Sequence, residues 1–281
     1  MDNLPSLYQD KDHLRGSQYK DSSNLNARAE LHRRFSTASV DWFTWVLDKL
    51  SLTANMQLLE VGAGPGWLWR RHLHRIPVGC QITLTDFSPG MVSEAEAALL
   101  GTDGQFQFRV ANVEELPFSD EQFDLVVANH MLYHVPDLNK GLQEIRRVLR
   151  PGGRLVAATN GNAHLQELNE IGQVVFPDLL GEGRQSWAGL AFGLENGRFL
   201  LAPWFDQIEQ YVYDDSLLVN EVEPLVAYMF STIASQAVDQ SQNVEKLRRY
   251  LTQRLADEGV IHITKSTGLF VAHKVGCFPV P

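Results

Sequence analysis

The chain has 281 residues, 44% of them hydrophobic, enough for one large domain or a domain plus a cap. Its formal net charge of -10 argues against general attraction to nucleic-acid backbones. Cys80 and Cys277 lie far apart with no metal-ligand spacing around them, the opening MDNLPSLYQDKDHL has no apolar signal segment, and no apolar run could span a bilayer, so a cytoplasmic protein without a disulfide scaffold, a bound metal or a membrane partner is expected.

Residues 1 to about 35 show no strand period and read as short helix and loop. SVDWFTWVLDKL, Ser39 to Leu50, has apolar residues at helical spacing. Gln57 to Val61 reads as a strand, and its apolar Leu58, Leu59 and Val61 suit a buried parallel sheet. A glycine-rich turn follows, and Trp67 to His74 (WLWRRHLH) continues as a helix. Gln81 to Thr85 is a second strand ending at Asp86, and SPGMVSEAEAALL reads as a helix with Ser88 as its cap and Pro89 at its first position. Phe106 to Val110 is a third strand and Phe123 to Ala128 a fourth. A helix over Leu138 to Arg150 is expected to stop at Pro151-Gly152-Gly153, before a fifth strand at Arg154 to Thr159. Such β-α alternation predicts a doubly wound α/β fold, a parallel sheet with helices on both faces.

The pattern changes after Asn160. Helices are predicted over His164 to Phe176, Glu221 to Ile233 and Val244 to Asp257, with one alternating segment at Phe205 to Val212. GEGRQSWAGLAFGLENGRF reads as a lid-like connection, and its aromatics, with Trp204 and Tyr228, are candidates to cover an acceptor. VIHITKSTGLFVAHK looks like two short strands forming a hairpin around KSTG. The expected organisation is an N-terminal arm or lid over 1–40, a nucleotide-binding core over 41–160, a substrate-side cap with a core strand over 161–258, and C-terminal strands over 259–281 completing the sheet.

LLEVGAGPGW carries the first functional signal. Gly62, Gly64 and Gly66 form a turn between strand and helix, where a ligand can approach the backbone and meet a helix N-terminus. The spacing is GxGxG, not the dinucleotide GxGxxG, and no Lys-Ser/Thr pair follows, which disfavours a phosphate-cradling loop. Asp86, at the end of strand two, can accept hydrogen bonds from both hydroxyls of a ribose. ANVEELPF places Asn112 and the Val113 amide where an adenine edge could be read. FDLVVANHMLYHVPD and RVLRPGGRLV complete the set.

In this order the motifs over residues 50 to 160 resemble the class I S-adenosylmethionine-dependent methyltransferases, especially the small-molecule type 11 group. The resemblance implies a seven-stranded Rossmann-like sheet with an antiparallel last strand, S-adenosyl-L-methionine as cofactor, and a small-molecule acceptor rather than nucleic acid. It implies that Glu60, Gly62, Gly64 and Gly66 line the methionine portion and ribose, and that Asp86 holds the ribose with Phe87 and Met91 near the adenine. Asn112 and Val113 would read the adenine edge, Asn129 would face the methionine part, and Tyr19 and Arg28 are candidates for its carboxylate. Ala63, Pro65 and Asn112 depart from the commoner residues at their positions; the first two present backbone, and Asn112 keeps an acceptor.

Methyl transfer is an in-line displacement, so the protein supplies alignment and water exclusion, and a base only where the acceptor arrives protonated. His130, Tyr133 and His134, just past strand four, are the candidates; the two histidines would share a face if that segment is helical, and His134 could equally cap or pack. Asp137 reads as a helix cap. The alternative reading keeps the cofactor but cleaves or cyclises its aminobutyryl arm, releasing methylthioadenosine. A non-catalytic binding protein is disfavoured by the intact Gly62, Asp86 and Asn112 set, and an oxidoreductase by the glycine spacing. A base-modifying methyltransferase is disfavoured by the acidic balance and by the lack of an Asn/Asp-Pro-Pro-aromatic motif.

Overall fold

A computed structural model describes residues 22–177, 191–233 and 240–275. The chain begins with α1 (Ser23–Phe35) and α2 (Trp42–Leu50), then alternates β1 (Gln57–Val61), α3 (Trp67–Arg70), β2 (Gln81–Asp86), α4 (Pro89–Leu99), β3 (Gln105–Val110), β4 (Phe123–Asn129), α5 (Leu138–Val148) and β5 (Leu149–Asn160). There follow α6 (Gln166–Val175), α7 (Gly197–Leu201), β6 (Gln207–Tyr213), β7 (Ser216–Val219), α8 (Val222–Ile233), α9 (Gln240–Glu258), β8 (Ile261–Thr264) and β9 (Thr267–His273).

The main sheet has seven strands in the order β3-β2-β1-β4-β5-β9-β6. Strands β1 to β5 pair in parallel, and β9 runs antiparallel between β5 and β6. Both faces are covered. Leu59, Val61, Val126, Ala128 and Phe270 pack with α5 through Leu142 and Ile145. Their alternates Leu58, Leu125, Val127 and Leu269 pack with Val46, Leu47, Trp69 and Ala95 from α2, α3 and α4. Each fully buried side chain of this size contributes roughly 1.5–3 kcal/mol from burial. The edge strands β3 and β6, QFQFRV and QIEQYVY, expose polar residues that discourage pairing with another chain.

A third apolar cluster builds the cap. Leu31 and Phe35 of α1 meet Leu168 and Ile171 of α6, Leu225 of α8, Leu247 and Leu251 of α9, and Ile261 and Ile263 of β8. Asp215 joins arm and cap, its Oδ1 accepting from Ser36 Oγ at 2.8 Å, Thr37 N at 3.0 Å and Ala38 N at 3.1 Å.

Three sequence expectations change, and one strand is added. The KSTG segment does not close a hairpin: β8 pairs with β7 in a separate two-stranded sheet, while β9 enters the main sheet. Burial explains the split, because IHIT buries alternate residues against the cap, whereas TGLFVAH is buried on both faces and needs both layers. Strand β7 itself, SLLV, is too short to stand out by period. Pro151-Gly152-Gly153 lies inside β5 rather than before it; the chain turns extended at Leu149, Gly152 takes φ 81°, and the Gly152 amide donates to the Lys274 carbonyl at 2.7 Å. The helix after the glycine turn is one turn long and passes at His72 into a 3-10 turn over Leu73–Arg75, since the His72 ring contacts the Leu68 carbonyl at 2.9 Å and Thr44 Oγ1 at 3.0 Å. No helix among the described residues is long and apolar enough to cross a membrane.

Candidate functional site

Strand β1 has β2 on one side and β4 on the other, so the strand order reverses there, and in open α/β sheets ligands bind outside the carboxyl ends of strands at such a point. The loop after β1 carries Gly62, Gly64 and Gly66 at φ 64°, 54° and 73°, all in the left-handed region. A Cβ on Gly62 would lie 2.7 Å from Met131 Cβ, so this glycine lets the loops after β1 and β4 meet. A Cβ on Gly64 would meet nothing within 4 Å, which leaves the middle of the turn facing open space.

Asp86 is drawn onto this turn. Its Oδ2 accepts from the Gly64 amide at 2.9 Å and its Oδ1 from the Ser88 amide at 2.8 Å. A carboxylate has about four acceptor positions, so capacity remains for hydroxyl donors. Burial pushes the Asp86 pKa up, against the pull of the backbone N–H groups. Glu60, on β1, is more deeply placed. Its Oε2 accepts from Trp69 Nε1 at 2.6 Å, and burial lifts its pKa to about 8 despite that bond. Beside Asp86, Ser88 caps α4, and Met91 is buried in the first turn of that helix.

Asn112 turns inward on its own loop. Its Oδ1 accepts from the Glu114 amide at 3.1 Å and its Nδ2 donates to Glu114 Oε2 at 3.1 Å, while Val113 is buried. Both ends of the amide therefore shape the turn after β3. Asn129 ends β4, and its Oδ1 is buried without a hydrogen-bond partner among the described residues. Arg28 reaches α8 instead of the loops: its Nε donates to Ser231 Oγ at 3.2 Å and its Nη2 to the Ser231 carbonyl at 3.1 Å. Tyr19 and Trp187 lie outside the described residues.

The segment after β4 is not the helix that would align His130 with His134. His130 takes φ 57°, and only Leu132–His134 form a 3-10 turn. His130 lies against Trp42, with ring centroids 5.0 Å apart, and its amide donates to the Ala158 carbonyl at 3.1 Å. Tyr133 is buried and its ring is 4.5 Å from that of His134. Asp137 caps α5 by accepting from the Lys140 amide at 3.0 Å. Among the aromatics expected in a lid, Phe192 is core, packed edge-on against Phe270.

Sequence reading missed a second cluster on the same side of the sheet. His32 of α1 stacks with His164, ring centroids 6.3 Å apart at 22°, and meets the Tyr228 ring edge-on at 5.9 Å. Their Nδ1 atoms, like Asn160 Oδ1 at the end of β5, are buried without a hydrogen-bond partner among the described residues. Burial, reinforced by Lys265, lowers the pKa of His32 to about 3 and of His130 to about 4. Burial, with His32 and His130 adding to it, holds His164 well below the usual histidine value. Lys265 is ion-paired with Asp215, both side chains buried. These residues are far apart in the chain, and no local spacing announces them; only α1 packing on α8 and β7 brings them together. Among the described residues no group of three His, Cys, Asp or Glu is placed to hold a metal.

Residues 59–157 match the family model described as a methyltransferase domain. The chain is 33% identical over 117 residues to the ubiquinone/menaquinone biosynthesis C-methyltransferase UbiE of Hahella chejuensis, covering 41% of this chain and 47% of that protein. It is 29% identical over 195 residues to the highly reducing polyketide synthase verA of Penicillium polonicum, covering 67% of this chain and 7% of the synthase. It thus spans less than half of either curated relative. The [4+2]-cyclase SpnF shares the fold, with a TM-score of 0.60 at 16% identity over 95% of this chain and 97% of that one. Residues 59–157 thus carry a methyltransferase domain whose match takes in the glycine turn, on a sheet whose strand order reverses at that turn.

Proposed function

We propose that this chain transfers a methyl group from S-adenosylmethionine, the cofactor of its family, to a small-molecule acceptor. The observation that carries the reading is the bond from the Gly64 amide to Asp86, which fixes a left-handed glycine turn with its open side at the sheet's reversal point. The residues suit the cofactor: the turn admits a ligand against backbone, Asp86 keeps acceptor capacity for ribose hydroxyls, and the unpartnered Asn129 Oδ1 is an acceptor for an ammonium. Glu60, Gly62 and Gly66 complete the wall on the methionine side, with Phe87 and Met91 beside the adenine. Asn112 holds the loop that presents Val113 to the adenine edge.

When bound, the cofactor supplies an electrophilic methyl on sulfonium, so the protein's task is alignment and exclusion of water. Met131, pressed on Gly62, sets the distance between the two loops. His130 packs on Trp42 between the turn and the cap, and Tyr133 packs on His134 in the following 3-10 turn. The core over 41–160 would bind the cofactor, while the arm over 1–40 and the cap over 161–258 would select the acceptor.

Calorimetry with S-adenosylhomocysteine and mass spectrometry after incubation with S-adenosylmethionine alone test this reading. Binding with the cofactor left intact is expected. Methylthioadenosine above the spontaneous background would show that the site attacks the cofactor itself, and absence of binding would remove both readings.

A further inference from the structure

We propose that His32 and His164, beside the Lys265–Asp215 pair, form the acceptor subsite, and that it takes an ionisable hydroxyl, a phenol or an enol. This rests on the methyl-transfer reading and names its substrate class. Position supports it first. Asn129 ends β4 and Asn160 ends the adjacent β5, with Asn129 paired to Ala158. His130 follows Asn129, Met131 touches Gly62, and the His164 amide donates to the Gly161 carbonyl at 3.1 Å. The histidine cluster and the glycine turn therefore border the same strand ends, one on the cap side and one on the core side.

Chemistry supports it second. His32, His130 and His164 are half-buried, and burial lowers the pKa of each. A buried polar atom without a partner is costly, so His32 Nδ1, His164 Nδ1 and Asn160 Oδ1 call for a ligand that supplies partners. A neutral imidazole offers one donor and one acceptor, and a hydroxyl group offers both in return. A carboxylate has no donor to give, and an ammonium would meet Lys265.

In the reaction the hydroxyl O–H bond breaks, its proton passes to an imidazole nitrogen, and the electron pair stays on the acceptor, on oxygen or on a conjugated carbon. That pair forms the new bond to the methyl carbon as the carbon–sulfur bond breaks, and the sulfur keeps the electrons of the broken bond as a neutral thioether. Positive charge on the imidazole and on Lys265 stabilises the oxyanion.

The test has two stages. S-adenosylhomocysteine is first titrated into the wild type, His32→Gln and His164→Gln; binding near wild-type affinity in all three is expected, and loss in the wild type itself would sink the cofactor reading alone. Methyl-labelled S-adenosylmethionine is then supplied with 1-naphthol, catechol, acetylacetone, benzylamine or thiophenol. Label is expected on the hydroxyl and enol acceptors only, falling at least tenfold in either variant. Label on the amine or thiol, equal labelling in both variants, or no labelled product although the cofactor binds would overturn the proposal. Should the variants not fold, the wild type decides by a second readout. 4-Nitrophenol titrated into the S-adenosylhomocysteine complex should shift its absorption band on binding, and an unchanged spectrum counts against the subsite.

Discussion

The core-side and cap-side parts of the candidate site respond to burial in opposite ways. At the glycine turn the buried groups are acids, and desolvation raises Glu60 to about 8 and lifts Asp86, so protons are retained. Under the cap the buried groups are histidines, and desolvation lowers His32 to about 3 and His130 to about 4, so protons are shed. In both cases the low-dielectric surroundings disfavour charge until something of opposite charge arrives. The core end is thus suited to a cation, which would draw the proton from Glu60. The cap end presents neutral imidazoles, suited to a group that both donates and accepts a hydrogen bond. Each end costs folding stability in its own pH range and becomes favourable only with its ligand.

The comparison can be tested hardest at the buried Lys265–Asp215 ion pair. Lys265→Met leaves the Asp215 carboxylate buried and unpaired and should cost about 3–5 kcal/mol in urea unfolding, with S-adenosylhomocysteine affinity unchanged. A parallel loss of cofactor affinity would mean that the two ends are not separable.

Glu60→Gln comes next. With its folded pKa raised from 4.5 to about 8, Glu60 contributes stability that is fully present below pH 4.5 and lost as pH rises through 8. The variant should therefore gain on the wild type with rising pH, by about 3 kcal/mol at pH 7 relative to pH 4.5. The histidines act with the opposite sign, their contribution being present above 6.5 and lost as pH falls toward about 4 for His130 and about 3 for His32. The stability of Glu60→Gln should consequently climb more steeply with pH than that of the wild type, and identical slopes would refute the contrast.

Asp86→Ala should weaken cofactor binding by about 1–3 kcal/mol, the loss of hydrogen bonds to a charged group, as read by calorimetry. Unchanged affinity would remove the ribose assignment. The smallest effect is expected from Asp41→Ala. Asp41 Oδ1 accepts from the Phe43 and Thr44 amides at 3.1 and 3.2 Å, capping the helix that holds Trp42 against His130. About 1 kcal/mol of stability should be lost, with acceptor turnover more affected than cofactor affinity.

Residues 57 to 160 could be read in advance because their signals are local. Apolar runs buried on both faces mark parallel strands, Ser88-Pro89 and Asp137 mark helix starts, and Gly62, Gly64 and Gly66 mark a loop that takes positive φ and meets a neighbouring loop closely. Where local signals were ambiguous, tertiary context decided. KSTG has turn chemistry, yet the two strands it joins bury different numbers of faces and part into different sheets. Asn112 was expected to read an adenine edge, and its amide pairs with Glu114 on its own loop.

By itself the sequence marked strands β1 to β5, the glycine turn and the acid at the end of β2, since each is signalled by residues a few positions apart. The tertiary structure alone decided the cap-side chemistry. His32, His164, Asp215 and Lys265 come from four separate segments: β7–β8 pairing joins Asp215 to Lys265, and the packing of α1 on α8 and β7 brings His32 to His164. A proton affinity set by desolvation belongs to the assembled surroundings, and no run of neighbouring residues encodes it.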